Sequence, residues 1–518
     1  MSTFGGIIDA IVSMGPHTLG LIVVGVIAGL LVGVLPGLSF VMGVLLLVPL
    51  TYNMGAQDAV VLLLALYVAG TYGGALTSIL LKVPGESNDV VLLWDGHGMT
   101  RKGQAAEALG WAAVSALGGG LAAWFVLVFA AEPFSSVALR LSSPEYFAIV
   151  LLGLASVLML SETSVTTTII ATLVGMLIST VGIDSITGAV RYDFGTTILR
   201  DGVDYLAVMI GVYALTEVIT RFSESFRGGT AQQPGRISTT IPGLRAIWHR
   251  SGSFFRGMLT GSLIGMVPGA GATIASFVSY GFEKQFGRFK GEVGESSPSG
   301  IVAPQTASTA TVGGALIPLL VLGIPGSAAA AVLLGVLQLH NVQPGPQIFT
   351  EQPELVYAIF GAFLLSLLLM FAVGIVGARP LVRVLGFPEA YISALVVIFA
   401  FLGAFALRQS MSDVWIMVAF GAVGFFMQRS DYPIAPLVLG AILGPLAETH
   451  FRTAMISSGN DWTVFFTRPI SGTLMAILCL VIGLLAYRRL RASRPREARI
   501  ESGPPREAYP PEQQDEER

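Results

Sequence analysis

The sequence predicts an all-α polytopic membrane protein: two inverted-topology repeats with re-entrant hairpins and discontinuous helices, about 10–14 membrane segments in all. Three observations predict it. The composition is that of a chain dissolved in lipid. A set of Pro-Gly breaks in apolar sequence occurs twice, in the same order. The loops that carry basic residues change places between the two occurrences.

Of 518 residues, 53% are hydrophobic and only 12% charged, and 62 are glycine. A soluble protein of this size needs far more charged surface. The net charge of −3 excludes a nucleic-acid partner held by charge. The single cysteine, Cys479, lies in an apolar run, which leaves neither a disulfide framework nor a thiolate metal site. The N-terminus has no basic stretch of the kind that opens a cleaved signal peptide.

Taken in order, residues 1–17 are a lead-in, and 18–50 are two apolar runs divided at Gly33-Val34-Leu35-Pro36-Gly37. A polar break at 51–57 precedes a long hydrophobic stretch, 58–94, interrupted by Gly73-Gly74 and by Pro84-Gly85. Asp95 to Gln104 reads as a polar loop, and apolar spans follow near 105–131, 145–160, 165–181 and 204–220. The first repeat is thus 18–220 and the linker 221–256. The second repeat is 257–487, and 488–518 form a cytoplasmic tail whose Pro, Glu, Arg and Gln content points to disorder.

The second repeat follows the plan of the first. From Pro36 to Pro268 the offset is 232 residues, from Gly73 to Gly313 it is 240, from Pro84 to Pro325 it is 241, and from Pro144 to Pro388 it is 244. A slowly growing offset is what duplication followed by small insertions leaves. The alternative is chance recurrence of Gly and Pro, and four matches in one order argue against it.

No Lys or Arg occurs in 1–81 or in 291–378. In the first half loop 51–57 is free of basic residues and loop 95–104 carries Arg101 and Lys102. In the second half 281–290 carries Lys284, Arg288 and Lys290, and 338–355 carries none. The swap places the halves in opposite orientations, with 51–57 outside and 95–104, the linker and Arg488 to Arg496 inside. The N-terminus then falls outside and the C-terminus in the cytoplasm. Of 29 basic residues only Arg140, Arg191, Arg200, Arg408, Arg452 and Arg468 fall outside. The threading also requires 18–50 and 257–280 to return to the side they entered, as hairpins tipped by Pro36-Gly37 and Pro268-Gly269.

Pro-Gly inside an apolar run breaks a helix and bares backbone groups that lipid cannot satisfy. Broken ends of this kind line cavities in secondary transporters, where half-helix N-termini face anions and free carbonyls hold small cations. The candidate lining is Pro36, Gly37, Ser39, Gly73, Gly74, Thr77, Ser78, Lys82, Pro84, Gly85, Ser87 and Asn88 in the first half. In the second it is Pro268, Gly269, Thr273, Thr306, Ser308, Thr309, Gly313, Gly314, Pro325, Gly326 and Ser327. Such a lining suits a carboxylate, with Na⁺ as a coupling ion on backbone carbonyls near Gly74 and Gly314, and no other cofactor. For any one hydroxyl residue the plainer role is gluing helices together.

Lys82 is the first basic residue of the chain and stands two places before Pro84. An unpaired charge in mid-membrane costs roughly 3 kcal/mol or more, so Lys82 either faces the cavity or snorkels to the inner interface beside Glu86 or Asp89. Glu162 and Glu217 read as helix-end caps. His17, His97, His249, His340 and His450 lack ligand spacing and read as surface residues. No phosphate-binding Gly-x-x-x-x-Gly-Lys-Ser/Thr loop occurs.

The segments Gly73-Gly74-Ala75-Leu76 to Pro84-Gly85-Glu86, Asp95-Gly96 to Met99 and Gly103 resemble the large membrane subunit of tripartite tricarboxylate transporters. So do Ala303-Pro304, Gly313 to Leu319, Gly323 to Ser327 and Gln343-Pro344-Gly345-Pro346. The resemblance runs from about residue 18 to 485. It implies a permease of the bacterial inner membrane that works with a small membrane subunit and a periplasmic solute-binding protein. It also implies uptake of citrate-like carboxylates with Na⁺ or H⁺. This chain departs from the family where Asn is usual before the first Pro-Gly, at Lys82, and where Ala-Pro-Glu and a paired Asn-Asn are usual, at Gln305 and Ser308-Thr309. Two further readings stand beside this one. One is an inverted-repeat anion transporter without a binding protein. The other is a membrane scaffold or embedded enzyme, against which the spans offer no nucleophile, metal cluster or acid–base pair.

Overall fold

The computed structural model describes residues 3–160, 164–184, 186–224, 238–384 and 389–492. Glu162, Arg227, Arg236, Pro388, Arg494, Arg496 and the rest of the tail from 493 lie outside the described residues.

The first half opens with α1 (Thr3–Ser13) and α2 (Pro16–Val34), the latter with proline in its first turn, where the missing N–H has no helical partner to lose. At its end Leu38 N–H donates to Leu35 O at 3.1 Å across Pro36 and Gly37, with Gly37 at φ 77°. That is a type II turn, which calls for Pro and then Gly at its centre. Ser39 Oγ accepts from Met42 N–H at 3.2 Å and caps α3 (Phe40–Thr51). α4 (Ala56–Leu81) stops where Lys82 turns left-handed, φ 59°. A single 3₁₀ turn, Ser87–Asp89, and α5 (Leu92–Arg101) follow the break. α6 (Ala105–Ala138), α7 (Ser143–Leu160) and α8 (Val165–Ile178) lead to a two-stranded ribbon, β1 (Gly182–Ile183) with β2 (Val190–Arg191), and to α9 (Thr197–Arg200). α10 (Tyr205–Met209) runs through a π turn, Ile210–Leu215, into α11 (Thr216–Glu224).

The second half begins with α12 (Leu244–His249), α13 (Ser251–Gly265) and α14 (Gly271–Phe286). Between the last two, Ala270 N–H donates to Val267 O at 3.2 Å across Pro268 and Gly269, with Gly269 at φ 81°. The same turn is made from the same residue pair. α15 (Ser299–Leu322) ends on left-handed Gly323, and α16 (Ala328–Leu339) starts on Ser327, whose Oγ accepts from Ala330 N–H at 3.2 Å. α17 (Ile348–Glu351), α18 (Pro353–Arg383), α19 (Glu389–Arg408), α20 (Met411–Arg429), α21 (Ile434–Ser457), α22 (Val464–Thr467) and α23 (Pro469–Ala492) complete the chain.

The protein is an all-α polytopic membrane protein. Among the described residues nine helices are long and apolar enough to cross a membrane, and six shorter apolar helices accompany them. The expectation of ten to fourteen segments turns on how those short helices combine, since the break at each Pro-Gly turn divides one apolar run into a long and a short piece. α4 and α15 sit at the centre, with nearly every residue buried. Apolar side chains such as Val376 and Trp415 stand exposed on the outer helices, as a lipid-facing surface requires.

Two crossings build the centre, and glycine spaced by four residues makes both. On α2, Gly25, Gly29 and Gly33 lie against the backbone of Leu62, Leu66 and Gly70 of α4. On α13, Gly257, Gly261 and Gly265 lie against that of Ala303, Ala307 and Thr311 of α15. A methyl group on Gly33 would sit 2.8 Å from Gly73 Cα, and one on Gly265 2.8 Å from Thr311 Cα. Small residues at this spacing let membrane helices meet backbone to backbone. The contacts also give the register between the halves. Gly73 packs on Leu30 O and Gly33 Cα, and Gly314 packs on Ser262 O and Gly265 Cα. Gly73 and Gly314 thus stand at like places in the two crossings, 241 residues apart, the same spacing as from Pro84 to Pro325.

The segment from Asp95 to Gln104 differs from the polar loop expected of it. Leu92–Arg101 is helical and Asp95 is fully buried, accepting from Tyr280 Oη at 2.9 Å and from the N–H groups of Gly294 and Ser297 at 3.0 and 2.7 Å. Three donors from the second half offset the burial of this carboxylate, and sequence-local polarity gives no sign of them. Glu217 also departs from its expected role. It caps no helix end but pairs with Arg221 one turn along α11, at 3.0 Å.

Candidate functional site

A cavity of about 480 Å³ opens where the breaks of both halves meet. Four helices begin on its wall: α3 at Phe40, α14 at Gly271, α16 at Ala328 and α21 at Ile434. The first turn of each leaves N–H groups without helical partners and carries the positive end of the helix dipole. Convergence of four such ends favours an anion with several oxygens. A second cavity of about 390 Å³ adjoins the first and shares Ser39, Glu86, Ser87, Tyr213 and Ile434 with it.

Of the residues singled out by sequence, Ser39, Ser87, Asn88, Gly269, Thr273 and Ser327 line the larger cavity, and Gly37, Pro84 and Gly85 the smaller. Pro36 and Pro268 form the turns behind them. Arg221 Nη2 donates to Pro36 O at 2.5 Å and Ser156 Oγ to Pro268 O at 3.1 Å, so a side chain from elsewhere holds each tip. Pro325 and Gly326 are buried under the start of α16, and a Cβ on Gly326 would fall on the Gly265 carbonyl as one on Gly85 would on that of Gly33.

The remaining candidates form a layer behind the wall. Gly73, Gly74, Thr77 and Ser78 are buried on α4, and Thr306, Ser308, Thr309, Gly313 and Gly314 on α15. Asn88 joins the layers, its Nδ2 donating to Ser308 Oγ and to Asp89 Oδ1, each at 2.9 Å. Gln305 Nε2 donates to Thr71 O at 3.3 Å. Thr77 Oγ1 donates to Gly74 O at 3.0 Å, whereas Pro318 has no N–H to offer the Gly314 carbonyl. Lys82 is exposed at the end of α4 and lines neither cavity.

Three contributors were not in the candidate lining, and two of them, Glu86 and Asp89, were named as neighbours of Lys82. Glu86 lines both cavities, and its Oε1 accepts from Phe40 N–H at the start of α3. Asp89, three residues on, is fully buried behind it. Tyr213 enters both cavities from the π turn, where the extra residue per turn re-aims a side chain. The sequence signal for Glu86 and Asp89 was their position just past Pro84-Gly85. A π turn leaves no comparable mark.

The matches with known proteins agree with this geometry. The chain matches the tripartite tricarboxylate transporter TctA family over residues 19–439, a stretch that takes in every residue lining the two cavities. An uncharacterized 52.8 kDa protein in the TAR-I ttuC' 3' region of Agrobacterium vitis is 36% identical over 465 residues, which is 89% of this chain and 92% of that one. An uncharacterized protein in the TAR-II ttuC' 3' region of the same organism is 36% identical over 227 residues, 43% of this chain and 94% of that one. No solved structure matches. With the family matched across the helices that build the crossings and the cavity, the chain belongs to the TctA family of tripartite tricarboxylate transporters, as a multi-pass membrane subunit.

Proposed function

We propose that this protein imports a citrate-like di- or tricarboxylate across the bacterial inner membrane by cation symport. It receives the solute from a periplasmic binding protein and works beside a small membrane subunit. The observation that carries this reading is the meeting of four helix N-termini on one cavity, a preformed site for a multiply charged carboxylate. The sites are the residues that line or back that cavity, and the units are the repeats 18–220 and 257–487 joined by 221–256. The halves lie in opposite orientations, with the N-terminus outside and the C-terminus in the cytoplasm.

The arginines support that orientation. Of the six assigned to the outer side, Arg191, Arg200, Arg408, Arg452 and Arg468 are each paired with a carboxylate. With six of 29 basic residues on that side, the Lys/Arg bias still favours the other side as cytoplasmic. Single cysteines at 53, 100, 240, 287 and 345 in a Cys479→Ser background test it with an impermeant thiol reagent. Positions 53 and 345 should label from outside and the other three from inside, and labelling of 100 and 345 from one side would overturn the scheme.

The transport reading is tested in proteoliposomes that contain both membrane subunits. Radiolabelled citrate, malate and tartrate should enter only when loaded binding protein is added. Uptake by the chain without the binding protein would favour a transporter that works alone.

A further inference from the structure

The wall of the anion cavity contains a carboxylate of its own. Glu86 Oε1 accepts the Phe40 N–H at the head of α3, one of the groups that an anionic solute would use. Behind it Asp89 is fully buried, with Oδ1 held by Asn88 at 2.9 Å. Asp89 Oδ2 has no hydrogen-bond partner of good geometry and shares the space over Gly74 with the backbone nitrogen of Glu86.

The groups around this pair supply no compensating cation. From α11, Glu217 is paired with Arg221, and from the π turn Tyr213 lines the same cavities. On α4 stand Asp58, bonded by Thr18 at the far end, Tyr67, bonded to Ser327 at 2.9 Å, and Tyr72, with exposed Lys82 after the last turn. α14 carries Tyr280, bonded to Asp95, Glu283, paired with Arg256, and Lys284, beside Gly294. α5 carries Asp95, His97, whose ring nitrogen contacts Ile79 O, and exposed Arg101. α3, α15 and α16 bring no titratable side chain. Two carboxylates three residues apart, one of them fully enclosed and with no cation at hand, favour holding a proton between them.

We propose that Glu86 and Asp89 are the proton-carrying pair that couples this transporter to the proton gradient. The inference rests on the transport reading above. With Glu86 ionised, its carboxylate occupies the Phe40 N–H and opposes any solute carboxylate that enters. A proton from the outer solution bonds to the Glu86–Asp89 pair, Glu86 gives up the Phe40 N–H, and the solute carboxylate takes its place. When the solute leaves on the inner side, the proton leaves the pair to the cytoplasm and Glu86 returns to Phe40. One proton enters with each solute, and the two favour each other's binding reciprocally.

The first test needs no solute. Infrared difference spectra of the full chain in lipid nanodiscs, taken between mildly acidic and mildly alkaline buffer, should show a carboxylic-acid carbonyl band that shifts in D₂O. The band should disappear in Asp89→Asn or Glu86→Gln, with circular dichroism and thermal midpoint verifying that each variant is folded. Identical bands in wild type and both variants would overturn the assignment. So would a rise in the thermal midpoint on replacing choline by Na⁺ that Asp89→Asn abolishes, since the pair would then hold Na⁺.

The second test is coupled uptake. An inward gradient of about one pH unit, without Na⁺, should raise steady-state accumulation about tenfold for one proton per solute. Glu86→Gln should lose that dependence of accumulation on the pH gradient. Accumulation that follows a Na⁺ gradient at equal pH overturns proton coupling and leaves the transporter. No uptake of any carboxylate, with the infrared band present, overturns the transport reading instead.

Discussion

Where α4 ends, Lys82 turns left-handed, Pro84 and Gly85 cross beneath the Gly33 carbonyl, and Glu86, Asn88 and Asp89 follow. Where α15 ends, Gly323 turns left-handed, Pro325 and Gly326 cross beneath the Gly265 carbonyl, and Ser327, Ala329 and Ala330 stand at the matching places. The backbones repeat and the chemistry does not. One break holds two carboxylates and an amide, the other a hydroxyl cap and methyl groups. Packing against a carbonyl restricts what can stand at the glycines, while the residues past the break are free to diverge. The first half therefore supplies the charge and the second the uncharged helix start of α16.

The widest break in this comparison comes from the shared backbone. Gly85→Leu and Gly326→Leu each force a side chain onto a carbonyl oxygen and a neighbouring Cα. Each should destabilise the protein by about 3 kcal/mol or more and remove transport. Thermal midpoints in detergent measure this, and a tolerated substitution on one side alone would show that the two crossings are not equivalent. Ser327→Ala removes the α16 cap and the partner of Tyr67, and should lower stability by about 1 kcal/mol.

The left-handed ends sharpen the comparison with opposite signs. A lysine at φ 59° is strained by about 1 kcal/mol relative to glycine, so Lys82→Gly should raise the thermal midpoint. Gly323→Ala, at φ 69°, should lower it by a similar amount. A fall in Lys82→Gly would mean that the lysine has a partner in the assembled membrane complex that outweighs the strain. Uptake by the same variant measured against Na⁺ concentration would then locate that partner.

The smallest effect is expected where the ribbon of the first half meets α21 of the second. Arg452 bonds Asp184, which also accepts from Ile186 N–H at 2.8 Å and Thr187 Oγ1 at 2.7 Å, and these hold its carboxyl well below the usual carboxylate range. A depressed folded value gives stability that is present above the unfolded value of about 4 and fades as pH falls below it. Asp184→Asn should lower stability slightly at neutral pH and flatten its acid limb, the two proteins converging as pH falls. An unchanged acid limb would show that the Arg452 contact does not stabilise the fold.

Much of this was legible in the chain because it is local chemistry. Pro36-Gly37 and Pro268-Gly269 specify a turn by themselves, and Pro84-Gly85 and Pro325-Gly326 interrupt helices wherever they stand. The glycines at 25, 29 and 33 and at 257, 261 and 265, whose spacing marks a close crossing, were not singled out for it in the sequence. The like placing of Gly73 and Gly314 had a different origin. Gly73-Gly74-Ala75-Leu76 matches Gly313 to Leu316 by letter, but the crossing is registered by which carbonyl each glycine meets. Burial of Asp95 depends on residues more than a hundred positions away, the placing of Glu86 on Phe40 46 positions back, and that of Tyr213 on a helical turn of unusual width. No window of sequence contains them.

The glycine spacing has a mechanical consequence. With a carbonyl seated opposite each glycine at every fourth residue, α2 cannot slide along α4, nor α13 along α15, without driving backbone into backbone. Each pair behaves as a gear whose teeth are engaged, so a load at one end emerges as rotation of the whole pair. The same meshing joins α8 to α21, where Gly175 and Gly440 seat against the Leu437 and Thr172 carbonyls. Any motion of the cavity walls therefore falls to the joints between these meshed blocks.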